Sequence, residues 1–253
     1  MESKSFLTID NQPISLKQSL DYLRYSGKLG AFVGEILRQY SIEKELEQEG
    51  IKVDSVATEQ AIIDFRLQNQ LIEPNSFQEW LSRNGINFET FYQQVASRFQ
   101  QEKLKVKVTE SKLQEYFIER KIFLDRVVLS RIIVENQELA EELYSQILEE
   151  GARFEQLAQE YSMAEDRIAN GMMGSVSRGT LPDVLRAAID SANQGDLLEP
   201  LEIDGRWCLF RVEQILPASL DDERLKHTLR DELFERWLAQ KIQKLSVKLQ
   251  VNS

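Results

Sequence analysis

The sequence predicts an α+β protein: a helical N-terminal module, completed by one long C-terminal helix, with a small domain of antiparallel sheet packed with helices between them. Three observations predict this. Apolar residues recur at helical spacing through the first half of the chain. A short β-branched run opens at Arg126 and is followed by alternating helix and strand signals as far as Ile215. Asp221–Lys248 then reads as a single long helix. The boundaries read this way are 1–121 for the helical module, 122–217 for the mixed domain and 218–253 for the terminal helix, expected to pack on the first module.

In the first half, Ser15 and Gln18 form a capping box ahead of Leu16, Leu20 and Leu23. Phe32, Ile36 and Tyr40 make a second stripe that runs toward Gly50. Thr58 is positioned to cap a third helix carrying Ile62, Ile63, Phe65 and Leu67, and Ser76 with Glu79 to box the next, before Trp80 and Leu81. Asn87 precedes the clearest stripe, Phe88, Phe91, Tyr92, Val95 and Phe99, whose i, i+3, i+4 spacing reads as helix-packing core. Thr109 is expected to cap one more helix, through Leu113, Tyr116 and Phe117.

From Arg126 the pattern changes. Arg126–Val134 reads as a strand and Glu138–Glu150 as a helix with Gly151 as its C-terminal cap. Phe154, Leu157, Ala158 and Tyr161 mark another helix, and a glycine-bearing loop follows from Asn170 to Gly179. Pro182 suits the first turn of a helix carrying Val184, Leu185, Ala188 and Ile189. Strands around 198–203 and 207–215 flank Asp204-Gly205, a hairpin-turn dipeptide. The last helix opens on Asp221, Asp222 and Glu223 and closes on Lys241, Lys244 and Lys248, opposing the macrodipole at both ends.

Composition removes whole function classes. The chain has 253 residues, with 31 Lys plus Arg against 42 Asp plus Glu, a net charge of −11. That acid excess argues against a phosphate-neutralising nucleic-acid binder or an anionic-membrane binder. A single Cys excludes an intrachain disulfide and multi-Cys zinc sites, and a single His excludes every two-His metal motif. No metal or other cofactor is expected. Met1–Pro13 has one basic residue and no signal-peptide core, and nowhere does the chain approach the ~18 consecutive apolar residues of a membrane span. A cytoplasmic protein with no membrane insertion is expected.

Val127–Pro217 resembles the parvulin family of peptidyl-prolyl cis/trans isomerases (the PpiC-like rotamases). The resemblance rests on Ser130-Arg131-Ile132-Ile133-Val134 as its first strand and on Gly151-Ala152-Arg153-Phe154-Glu155-Gln156-Leu157-Ala158 as its Gly-x-x-Phe-x-x-Leu-Ala turn. Asn170-Gly171-Met172-Met173-Gly174, Ser177-Arg178-Gly179-Thr180-Leu181 and Trp207–Val212 follow in the family's order. The flanks are similar to those of the SurA/PrsA-type folding factors. The resemblance implies rotation of X-Pro bonds in unfolded or proline-containing polypeptide, with no covalent chemistry and no cofactor.

It also implies site positions. The family's two histidines fall on Arg131 and Cys208, and its acidic residue falls near Ala164, with Glu165 and Asp166 close by. Its apolar cup falls on Leu181 and Leu185, with Met172, Met173 and Ser175 contributing from the glycine loop. Two functions follow: a folding factor that isomerises X-Pro bonds in unfolded or export-bound chains, or a catalytically degenerate adaptor. The adaptor would hold a peptide for a transporter, secretion or peptide-maturation machinery.

Overall fold

A computed structural model describes residues 5–250, so the first four residues of the opening stretch and the last three of the C-terminal segment lie outside the described residues. The chain divides into two compact units, one of residues 1–113 with 228–253 and one of residues 114–227.

The first unit opens on a feature that helical periodicity does not reveal. Strands β1 (Ser5–Ile9) and β2 (Gln12–Ser15) form an antiparallel hairpin. Its turn residues Asp10 and Asn11 have φ of 47° and 66°, the left-handed pair that a tight hairpin requires and that Asp and Asn tolerate. Helix α1 (Leu16–Tyr25) starts on Ser15, whose side chain accepts from the Gln18 amide at 3.2 Å. Gln18 turns its side-chain amide toward Tyr22, with Nε2 donating to Tyr22 Oη at 2.8 Å.

Helices α2 (Leu29–Gln48), α3 (Ser55–Gln68), α4 (Pro74–Arg83) and α5 (Phe88–Leu124) follow. Several expected caps move. Asp54 caps α3, accepting from the Ala57 amide, while Thr58 lies fully buried inside the helix and donates to the Asp54 carbonyl. α4 begins at Pro74, which leaves Ser76 within its first turn. Thr109 caps nothing: α5 runs unbroken for 37 residues, and Thr109 satisfies its hydroxyl on the Lys105 carbonyl one turn back. The Phe32, Ile36 and Tyr40 stripe remains 42–51% exposed, and core contact of α2 begins instead at Ile42 and Leu46.

The terminal helix α9 spans Glu223–Gln243, shorter than the periodicity suggests. Asp222 accepts from the amides of Arg224 and Leu225 at its start, and Lys244 and Lys248 fall beyond its end. Phe234 and Leu238 pack with Ile42, Leu46 and Leu104. Arg38 grips Glu235 through two 2.6 Å bonds, and Lys241 pairs with Glu45 at 2.8 Å. A second cluster gathers Ile62, Phe77, Leu81 and Phe91, with Phe65 and Trp80 meeting edge to face beside it.

The second unit is a four-stranded antiparallel sheet in the order β4-β3-β6-β5: Met172–Ser177, Arg126–Val134, Arg206–Leu216 and Leu201–Ile203. Alternation, interrupted by one bulge opposite Val128 and Leu129, divides β3 and β6 between two faces. Ile132, Val134 and Leu209 pack against α6 (Gln137–Glu149) and α7 (Phe154–Tyr161). Val127, Leu129, Cys208, Phe210 and Val212 pack against Leu181 and α8 (Asp183–Asp190). The glycine loop expected at 170–179 is largely strand β4, whose residues Met-Met-Gly-Ser carry little β propensity; its pairing to β3 supplies the order. No helix among the described residues is long and apolar enough to cross a membrane.

Candidate functional site

The groove begins with backbone geometry at Arg131. Its amide donates to the Gly171 carbonyl at 2.8 Å, while Gly171 adopts φ +79°. A Cβ built on Gly171 would drive into the Arg131 carbonyl oxygen and sit 3.1 Å from the Ala158 Cβ, so only glycine lets the two backbones approach. Two residues along β3, the buried Ser162 hydroxyl accepts from the Ile133 amide, and the Met163 amide donates to the Ile133 carbonyl. These contacts fasten the 162–171 segment along β3 and place Asp166 beside Arg131. Arg131 Nε donates to Asp166 Oδ2 at 2.7 Å. The other carboxylate oxygen, Oδ1, is buried with no hydrogen-bond partner among the described residues. A carboxylate can accept about four hydrogen bonds, so Asp166 retains accepting capacity beside the groove.

The face of β3 and β6 that carries Arg131 encloses a cavity of about 460 Å³. β3 contributes Arg131 and Ile133, β4 contributes Met173, and β6 contributes Arg206, Cys208 and Phe210. Leu181, Pro182 and Leu185 wall one side, with Ile203 and Asp204 at the hairpin end. Register explains the grouping: Phe210 lies opposite Arg131 and Cys208 opposite Ile133, so all four side chains share one face. The structure thus brings together Arg131, Cys208, Leu181, Leu185 and Met173 of the expected set.

Met172 and Ser175 do not join them. Alternation turns Met172 to the opposite face, where its sulfur lies 3.8 Å from Ser130 Oγ. Ser175 is exposed, and its hydroxyl accepts from Arg126 Nε at 2.8 Å. Among the residues that sequence reasoning passed over, Phe210 and Arg206 were within reach, since both lie at period two from Cys208. Asp166 was visible as an acid near the expected position, whereas Asp204 was read only as a turn residue.

Burial raises the Cys208 thiol above its ordinary value, and Arg131 and Arg206 offset this only in part. At neutral pH it is a protonated, weakly polar group rather than a nucleophilic thiolate. Among the described residues, no group of three or more His, Cys, Asp or Glu side chains is arranged to hold a metal ion.

The rotamase family, described as the PPIC-type PPIASE domain, matches residues 130–214. This chain carries a PPIC-type rotamase domain. The match covers most of the sheet together with α6, α7 and α8, including every residue that lines the cavity. Across a longer stretch, the chain is 24% identical to the chaperone SurA of Pseudomonas putida over 212 residues, covering 75% of this chain and 48% of that protein. It is 22% identical to the foldase protein PrsA of Caldanaerobacter subterraneus subsp. tengcongensis over 213 residues, covering 84% of this chain and 64% of that one. The chain spans about half the length of the SurA proteins it matches over most of its own length. Among solved structures, the peptidylprolyl isomerase PrsA from Bacillus cereus aligns over 99% of this chain and 96% of its own, with a TM-score of 0.47 at 18% identity.

Proposed function

We propose that this chain is a folding factor of the peptidyl-prolyl isomerase type, binding unfolded or export-bound polypeptide and rotating X-Pro bonds in the groove of its rotamase domain. The observation that carries the reading is the groove itself: an apolar cup of Leu181, Leu185, Met173 and Phe210 with the Arg131 guanidinium beside it. Such a cup suits a proline ring, which has no N–H to satisfy.

Rotation requires loss of amide resonance, a barrier of ~18–20 kcal/mol. As the bond twists, the carbonyl loses conjugation and the nitrogen becomes pyramidal. A fixed donor that reaches the twisted amide more strongly than the planar one lowers the barrier. Arg131 is held by Asp166 through Nε and is the charged donor at the Phe210 end of the groove. A charge-assisted hydrogen bond contributes about 1.5–3 kcal/mol, which corresponds to roughly ten- to 150-fold in rate. Cys208, neutral and buried, acts as part of the floor, next to the amide rather than bonded to it.

The test is refolding of a protein whose slow phase is proline isomerisation, tens to hundreds of seconds without catalysis. Micromolar chain is expected to shorten that phase, and Arg131→Ala to remove most of the effect. An unchanged slow phase would overturn the enzymatic reading. One observation favours a second reading: the positions that the resemblance gives to two histidines hold Arg131 and a thiol that burial keeps protonated. In that reading the groove holds a peptide for a transporter or maturation enzyme without rotating it, and binding persists where acceleration is absent. A cytoplasmic location accompanies either reading as a proposal, tested by fractionation with a compartment marker.

A further inference from the structure

The groove differs at its two ends. Along β6, Phe210 lies opposite Arg131, and Arg206 lies four residues away on the same face. Four residues of strand span about 13 Å. The apolar side chains Met173 and Phe210 gather at the Arg131 end, while the Arg206 end is formed by the exposed hairpin turn.

The two cations also differ. Arg131 is bonded to Asp166 at 2.7 Å. The guanidinium of Arg206 forms no side-chain hydrogen bond and no ion pair among the described residues, although Asp204 lines the same end of the groove. Its five donors therefore face water, in a planar fork matched to a carboxylate. Cys208 lies between the cations and is influenced by both, with Asp204 opposing them.

Building on the reading of the groove as a prolyl-peptide site, we propose that it selects proline-containing segments bearing an acidic side chain two to four residues from the proline, with Arg206 as the specificity-determining contact. An extended peptide with its proline in the apolar cup advances roughly 3.3 Å per residue. Four such steps reach the Arg206 Cα, and the arginine side chain shortens the requirement. The selectivity runs opposite to the chain's own charge, since an overall −11 would favour basic clients.

The test uses the full chain and fluorescent peptides with one central proline and Glu, Gln or Lys placed three residues to either side. Exposed ion pairs are modest, so the Glu peptide is expected to bind about two- to fivefold tighter than the Gln peptide, with Lys weakest. Added salt should erase the difference. Arg206→Gln should equalise Glu and Gln, and Arg206→Glu should invert the order; Asp204→Asn should tighten the Glu peptide further. Equal affinities in the unaltered chain, or a Glu preference that survives Arg206→Gln, would overturn the inference while leaving the prolyl site standing. Failure of all three peptides alike, or equal binding when alanine replaces the proline, would overturn the underlying site and this selectivity with it.

Discussion

Substituting alanine at Gly171 and at Gly174 separates two reasons for a glycine. Both have positive φ, +79° and +77°, so alanine at either place carries the left-handed penalty of about 1–2 kcal/mol. Only Gly171 is also crowded: a Cβ there meets the Arg131 carbonyl oxygen and the Ala158 side chain, while one at Gly174 meets nothing within 4 Å. Relieving that clash requires β3 and the 166–171 segment to separate, at the expense of the 2.8 Å bond from the Arg131 amide. Overpacking of this kind costs about 1–3 kcal/mol. Gly171→Ala should therefore destabilise the domain by about 2–5 kcal/mol and Gly174→Ala by only about 1–2 kcal/mol. Amide hydrogen exchange in β3 reads the opening free energy of this unit directly. Exchange should be about five- to 150-fold faster in Gly171→Ala than in Gly174→Ala. Similar rates in the two variants would refute the claim that close approach at Gly171 holds Arg131 in place.

Two further outcomes follow from the packing and charge. The Arg211 guanidinium, donating to Glu155 at 2.8 Å, holds the Glu155 carboxyl below its ordinary value. The associated stability is present above the unfolded carboxylate pKa, ~4.3, and is lost as pH falls through the lower folded value. Exchange protection in α7 should drop over that acid window, and Glu155→Gln should flatten the dependence; an unchanged profile in the variant would contradict it. Ending the chain before Asp221 removes Phe234 and Leu238 from Ile42, Leu46 and Leu104, exposing a cluster now at most 8% accessible. Aggregation on light scattering is expected, and a cooperative, monomeric truncation would be evidence against this packing.

Legibility in the sequence followed signal type. Asp204-Gly205 and the Arg126–Val134 run were readable because turn chemistry and β-branched side chains act locally. The Asp10-Asn11 hairpin uses the same turn chemistry, yet its strands lie on the surface, so no buried alternation marks them. β4 was read as loop because Met172-Met173-Gly174 has no strand signal of its own and owes its order to β3. Thr58 and Thr109 looked like caps because a hydroxyl serves equally well at a helix start or bonded one turn back inside. At the groove, the family pattern pointed to Arg131 and Cys208, which the β3–β6 register puts on one face, and to Leu181 and Leu185, which wall the same cavity. Asp166 was only approximately located, because its approach to Arg131 depends on the Ser162 and Gly171 contacts with β3. Met172 failed for a simpler reason: in a strand, one residue of offset changes the face.

The central claim is that the cup beside Arg131 receives a proline and eases rotation of the bond preceding it. Magnetisation-exchange NMR on a short X-Pro peptide measures that rotation without a coupled reaction. With the chain in excess, so that the peptide is saturated, cis-to-trans exchange should rise by about ten- to 150-fold, and Arg131→Ala should return it most of the way to the uncatalysed rate. Peptide resonances that broaden through binding while cis/trans exchange stays at the uncatalysed rate would contradict the claim and leave a groove that only holds its client.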